Sequence, residues 1–153
     1  MKKSMAVFIA LATLAAGVAA WADTNTLTVQ ASVTGTCKFS AATSTVNFGA
    51  LDPSSAADAS GSTTTNFWCT KGVTTDSIAA DTGLNPAGGV RQMKDLAGTD
   101  LIPYSLTLLA DGSSNAGPLS PRTLTITASI TNANYVTKTA GSYADTVVLT
   151  ITP

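Results

Sequence analysis

Apolar and polar residues alternate in short runs along most of this chain, the period-two pattern of strands that bury one face. Such runs fall at residues 27–33, 45–48, 63–69, 75–79, 90–94, 102–109, 123–130 and 146–152. The stretches between them, at 49–61, 83–89, 111–121 and 137–142, are rich in Gly, Pro, Asp, Asn and Ser, residues that favour turns. Short strands at this spacing predict an all-β, immunoglobulin-like β-sandwich. Residues 54–59 hold enough Ala and Ser for one helical turn, but their Gly and Ser flanks rule against a long helix. No repeat at a solenoid period and no long linker interrupts the pattern, so a single domain is expected.

Two of the runs pose a problem of partnership. In the last, Val147, Leu149 and Ile151 share one face and Val148, Thr150 and Thr152 the other. An apolar edge of this length is an aggregation hazard unless something covers it. In the first, Leu27, Val29, Ala31 and Val33 share a face just ahead of Cys37. That run is either the first strand of its own sandwich or a strand that pairs with another sheet. The end nearer Cys37 is the part best placed to belong to the domain itself.

The opening residues carry a different signal. Lys2 and Lys3 precede an apolar run at 6–20 and the small-x-small exit Ala20-Trp21-Ala22, which together predict a cleaved secretory signal peptide over residues 1–22. The exported chain then starts at Asp23 and keeps 131 of the 153 residues, enough for one core. No later segment is apolar enough to span a bilayer, so the mature chain is not expected to cross a membrane. Eight Lys and Arg less Lys2 and Lys3 leave six basic residues against nine acidic ones, a net charge of −3. That balance, with no basic cluster, argues against nucleic acid. Both cysteines, Cys37 and Cys69, lie in the exported part, where an oxidising compartment favours a disulfide between them. Closing such a loop stabilises a domain by roughly 3 to 4 kcal/mol.

Catalytic chemistry finds little support. The chain has no His, which removes Ser-His and Cys-His pairs and the commonest metal ligand, and no Glu. No catalytic residue, metal site or cofactor is therefore predicted, and the nine Asp read as solvated loop carboxylates. Asp111-Gly112-Ser113-Ser114-Asn115 superficially resembles a calcium loop but lacks the closing bidentate Glu, so a hairpin turn is expected there. Of the neighbours Phe67 and Trp68, one should pack in the core against the disulfide and the other should face outward.

Several local patterns, in order, resemble the spore coat U domain family, which includes the subunits of archaic chaperone-usher pili. They are Cys37, Val46-Asn47-Phe48-Gly49, Phe67-Trp68-Cys69-Thr70-Lys71-Gly72, Arg91-Gln92-Met93, Ile102-Pro103-Tyr104-Ser105-Leu106 and Gly141-Ser142-Tyr143-Ala144-Asp145-Thr146-Val147-Val148-Leu149-Thr150. The resemblance implies a sandwich over residues 37–153 that lacks its final strand and is completed by donor-strand complementation. It implies a donor segment at 23–36, overlapping the first strand, with Leu27, Val29, Ala31 and Val33 as the inserted face and Val147, Leu149 and Ile151 at the edge of the acceptor groove. The implied partners are identical or related pilus subunits, a periplasmic chaperone and an outer-membrane usher. The implied place is the cell surface, reached through the periplasm, and the implied role is a non-enzymatic pilus subunit for adhesion and biofilm formation. The rival readings are a self-contained coat or matrix protein and, further off, a secreted carbohydrate-binding module or hydrolase.

Overall fold

The computed structural model describes residues 21–74 and 76–153. The predicted signal peptide thus lies, except for Trp21 and Ala22, outside the described residues, as does the first residue of the run at 75–79. The chain divides after Ser32. Residues 21–32 carry no helix or strand and are exposed throughout, Leu27 at 83% and Val29 at 84%.

Residues 33–153 form two antiparallel sheets. The larger is built from β1 (Cys37–Phe39), β2 (Ala59–Cys69), β4 (Arg91–Asp95), β5 (Leu101–Ala110), β6 (Arg122–Ile130) and β7 (Tyr143–Ala144), in the spatial order β1-β2-β6-β5-β4-β7. The smaller pairs β3 (Ser77–Ala80) with β8 (Leu149–Thr152). The only helix among the described residues is one turn, α1 (Asn132–Tyr135). The all-β sandwich expected from the alternation is what the chain adopts.

Period-two alternation places the core. On β6, Leu124, Ile126, Ala128 and Ile130 are buried while Thr127 and Ser129 are exposed. Across the ladder, Leu106, Leu108 and Ala110 of β5 stand opposite Ala128, Ile126 and Leu124, on the same inner face. On β2 the inward positions end in Thr65, Phe67 and Cys69, and the outward ones are Ser60, Ser62, Thr64, Asn66 and Trp68. Phe67 is therefore the core member of the Phe67-Trp68 pair, as the alternation requires.

The inner face divides into two clusters. One centres on Ile102, Ile130 and Tyr135, with Phe48, Leu51, Met93, Tyr104 and Tyr143 packed on it. It is closed by α1 and the 50–58 loop: Tyr135 donates its hydroxyl to the Ala57 carbonyl at 2.7 Å, and Asn132 N–H donates to Asp58 at 2.8 Å. The other centres on Phe67, Cys69, Leu124 and Ile126, and its neighbours Phe39, Val46, Leu106, Leu108, Leu149 and Ile151 are only partly buried.

Three expectations are corrected. Residues 45–48 alternate as predicted, with Val46 and Phe48 turned inward, but they join no strand ladder. Gly61 is what lets this segment lie against β2, since a Cβ there would meet the Asn47 carbonyl at 2.6 Å. The single helical turn is at α1 and not at 54–59. The run at 146–152 forms a ladder only over Leu149–Thr152.

Candidate functional site

Among the described residues β1, β7, β3 and β8 each have a free side, and those of β1 and β8 face a common gap. There β1 pairs only with β2, and β8 only with β3. In an antiparallel ladder, alternate residues turn both backbone groups toward the same neighbour. Ser40 N–H donates to the Asn66 carbonyl and Thr70 N–H to the Thr36 carbonyl, both at 2.8 Å, so Thr36, Lys38 and Ser40 face β2. Cys37 and Phe39 therefore turn their N–H and C=O outward. On the other wall, Asp81 N–H donates to the Val148 carbonyl and Val148 N–H to the Asp81 carboxylate, both at 3.0 Å. Val148, Thr150 and Thr152 thus face β3, and Leu149 and Ile151 present their backbone groups to the gap.

Between these walls lies a cavity of about 500 Å³ lined by Lys38, Phe39, Ser40, Ala41, Ala42, Leu149, Thr150 and Ile151. Its apolar floor is formed by Phe39, Leu149 and Ile151, which pack on the buried Phe67, Leu124 and Ile126 cluster beneath without being fully buried themselves. The site thus combines apolar side chains short of cover with two rows of main-chain donors and acceptors. Such a site asks for an extended segment rather than a small reacting molecule.

The walls are held by contacts that leave the gap open. The Cys37–Cys69 disulfide ties β1 to β2 at directly opposed positions. Arg122, buried at the end of the floor, stacks over Phe67 with its guanidinium carbon 4.9 Å from the ring centre. It pairs with Asp76 at 3.0 Å and bonds Asn115 at 3.1 Å and Asp111 at 3.4 Å. The Thr123 N–H, then the Ser113 hydroxyl and N–H, hold the Asp111 carboxyl well below the usual carboxylate range, with Arg122 contributing less. The entry to β8 is fixed by Asp145, which accepts the Tyr104 hydroxyl at 2.6 Å and Leu84 N–H at 2.9 Å. Burial, reinforced by that bond to Asp145, raises the Tyr104 phenol far above its ordinary value.

These carboxylates correct the sequence reading. Asp95 is buried, and Asp81 and Asp145 anchor backbone N–H groups, whereas 111–115 opens the connection between the antiparallel strands β5 and β6, as expected of a hairpin, and adds a polar cluster around Asp111 and Asn115. Of the residues singled out for the acceptor edge, Leu149 and Ile151 line the cavity, and Val147 is half-buried just before the strand begins. The four residues of the proposed donor face, Leu27, Val29, Ala31 and Val33, are all exposed. Sequence reasoning missed the opposite wall. Phe39 could have been found by carrying the alternation of Cys37 forward, but Ala41 and Ala42 have no pattern to read. Among the described residues, no group of His, Cys, Asp or Glu is arranged to hold a metal ion, and no helix is long and apolar enough to cross a membrane.

Comparison with known proteins places the chain by sequence. One solved structure similar to it is of a chaperone–tip adhesin complex described as vital for synergistic activation of CFA/I fimbriae biogenesis. The two share 19% identity over 67% of this chain and 37% of that one, with a TM-score of 0.44. The chain thus spans little more than a third of that molecule. No curated protein matches it. Residues 23–150 match the Spore Coat Protein U domain, and the chain belongs to that family.

Proposed function

We propose that this member of the Spore Coat Protein U domain family is a non-enzymatic structural subunit of a chaperone-usher surface pilus. In this reading the gap between β1 and β8 is an acceptor groove. A periplasmic chaperone fills it first, and the N-terminal segment of another copy replaces the chaperone as an outer-membrane usher assembles the fibre. Leu27, Val29, Ala31 and Val33 are the inserted face, and the resulting fibre serves adhesion and biofilm formation at the cell surface.

One observation carries the reading. Phe39, Leu149 and Ile151 are left partly exposed between two strand edges whose outward backbone groups have no neighbouring strand among the described residues. The N-terminal segment has the complementary features: it alternates, it is exposed, and its large apolar residues each bring about 1.5 to 3 kcal/mol when buried. Adding a strand to a free edge supplies ladder bonds as well as side-chain burial.

Deleting residues 23–30 behind an intact leader should leave a chaperone-bound monomer that forms no fibre. A peptide spanning residues 23–33 should then occupy the groove of that monomer. Changing Leu27 and Val29 together to Asp keeps the chain length while placing two charges where apolar contact is required. Long, heat-resistant fibres from that double variant as sole subunit would refute strand insertion through this segment.

A further inference from the structure

The residues just ahead of β1 fix where a donated segment must end. Thr36 is held through both backbone groups by a single residue: its N–H donates to Thr70 Oγ1 at 3.0 Å, and its carbonyl accepts Thr70 N–H at 2.8 Å. The Thr70 hydroxyl lies 3.4 Å from the Thr34 carbonyl and 3.3 Å from the Thr36 carbonyl. Its one proton goes to one of these while its oxygen accepts from Thr36. Thr70 is itself anchored. It follows the disulfide-bonded Cys69, whose carbonyl accepts Gly117 N–H at 3.1 Å, and its own carbonyl closes a turn by accepting Val73 N–H at 3.1 Å. Gly35, between the two clamped residues, lies against Val73, with a Cβ position 3.4 Å from Val73 Cγ2. Val33, immediately before Thr34, is 86% exposed.

Resting on the donor-strand reading above, we propose that Thr70 is a positioning residue: it clamps Thr34–Thr36 to the subunit's own domain, so that the donated segment ends at Val33 and leaves from a fixed root. Length agrees with this boundary. At about 3.3 Å per residue, residues 27–33 in extended form span roughly 23 Å, which exceeds the roughly 13 Å of β8. The alternating face is used up at Val33, and nothing of Thr34–Thr36 is needed in the neighbour's groove. Gly35 has the torsional freedom to act as a swivel. The two bonds that fix Thr36 to Thr70, with the Thr70 hydroxyl also within reach of the Thr34 carbonyl, restrain that freedom, which sets the angle between successive subunits at this point rather than leaving it to a loose tether.

The test compares wild type, Thr70→Val and Thr70→Ser, each as chaperone-bound monomer and as fibre. In wild-type monomer, residue-resolved hydrogen exchange should find the Thr36 amide protected and the amides of 27–33 open; in fibres both should be protected. Thr70→Val should lower Thr36 protection at least tenfold while leaving Ser40 and Ile126 unchanged. Electron microscopy of the fibres should find the spread of inter-subunit angles at least doubled, and Thr70→Ser should restore both readings. An unprotected Thr36 amide in wild-type monomer, or Thr70→Val fibres with the wild-type angular spread, overturns the inference alone. Wild-type fibres in which 27–33 remain open to exchange overturn the donor-strand reading and this inference with it.

Discussion

Replacing Leu149 with Asp tests the groove at its centre, and its cost can be worked from the surroundings of that side chain. Leu149 is partly buried against the Phe67, Leu124 and Ile126 cluster, so its loss removes about half of a full Leu burial, roughly 1 kcal/mol. The larger effect arises when a strand fills the groove and encloses the new carboxylate. An unpaired buried carboxylate takes up a proton rather than remain charged. At pH 7, protonating a group of ordinary pKa about 3.9 costs about 4 kcal/mol, which caps the penalty. The total, about 5 kcal/mol, corresponds to a loss of more than a thousandfold in groove occupancy. Lowering the pH to 5 returns about 2.7 kcal/mol, because the proton becomes easier to acquire. The assay is urea unfolding of a subunit extended at its C-terminus by a copy of residues 23–33, at pH 7 and pH 5. Thr152→Asp, on the same strand but exposed on the opposite face, is the control and should cost less than about 0.5 kcal/mol. Equal effects of the two substitutions, or a Leu149→Asp deficit that does not shrink at pH 5, would refute the phase of β8 and the apolar character of the groove.

Replacing Cys37 and Cys69 together with Ser should lower the unfolding free energy by about 3 to 4 kcal/mol, from the 32-residue separation of the bridge, as measured in urea. Intact mass of the exported wild type should correspond to a start at Asp23 and lie about 2 Da below the reduced form. The depressed pKa of Asp111 gives stability that is present above about pH 4 and is lost as pH falls through and below that value, so Asp111→Asn should flatten the acid limb of a stability-versus-pH curve. An unchanged limb would mean that its hydrogen bonds to Thr123 and Ser113 do not persist in solution.

How much of this was legible depended on what each residue pattern reports. Alternation reports which face a side chain takes, and there it succeeded: Leu124, Ile126 and Ile130 on β6, Phe67 against Trp68 on β2, and Leu149 and Ile151 on β8. It does not report hydrogen-bond partners. Val46 and Phe48 turn inward as read, yet their segment has no ladder. The start of β2 at Ala59–Ser62 is too small and polar to register, and its strand character comes from Ile130 to Thr127 lying opposite. The two-residue β7 exists only because Lys94 and Asp95 offer it a register. The carboxylates escaped for a similar reason. Composition cannot separate a solvated Asp from one, such as Asp81 or Asp145, that closes a loop by accepting a backbone N–H from another segment.

The two ends of the core differ in a way that limits what the groove can accept. At the Ile102, Ile130 and Tyr135 end, a helical turn and a loop complete the cover, and Tyr135 is only 4% exposed. At the other end the disulfide, the Arg122 cluster and the Asp145 bonds all act on backbone edges and polar groups, and none of them covers Phe39, Leu149 or Ile151. The disulfide fixes β1 to its own sheet, and the Asp145 bonds fix the entry to β8. What remains to be satisfied is a strip of apolar surface together with outward N–H and C=O groups from Cys37, Phe39, Leu149 and Ile151. A helix cannot meet both needs, because its own backbone groups are consumed internally. A compact apolar ligand would cover the floor but leave the edges desolvated and unpaired, which is costly. Only an extended chain offers side chains to the floor at every second residue and backbone groups to the walls in between.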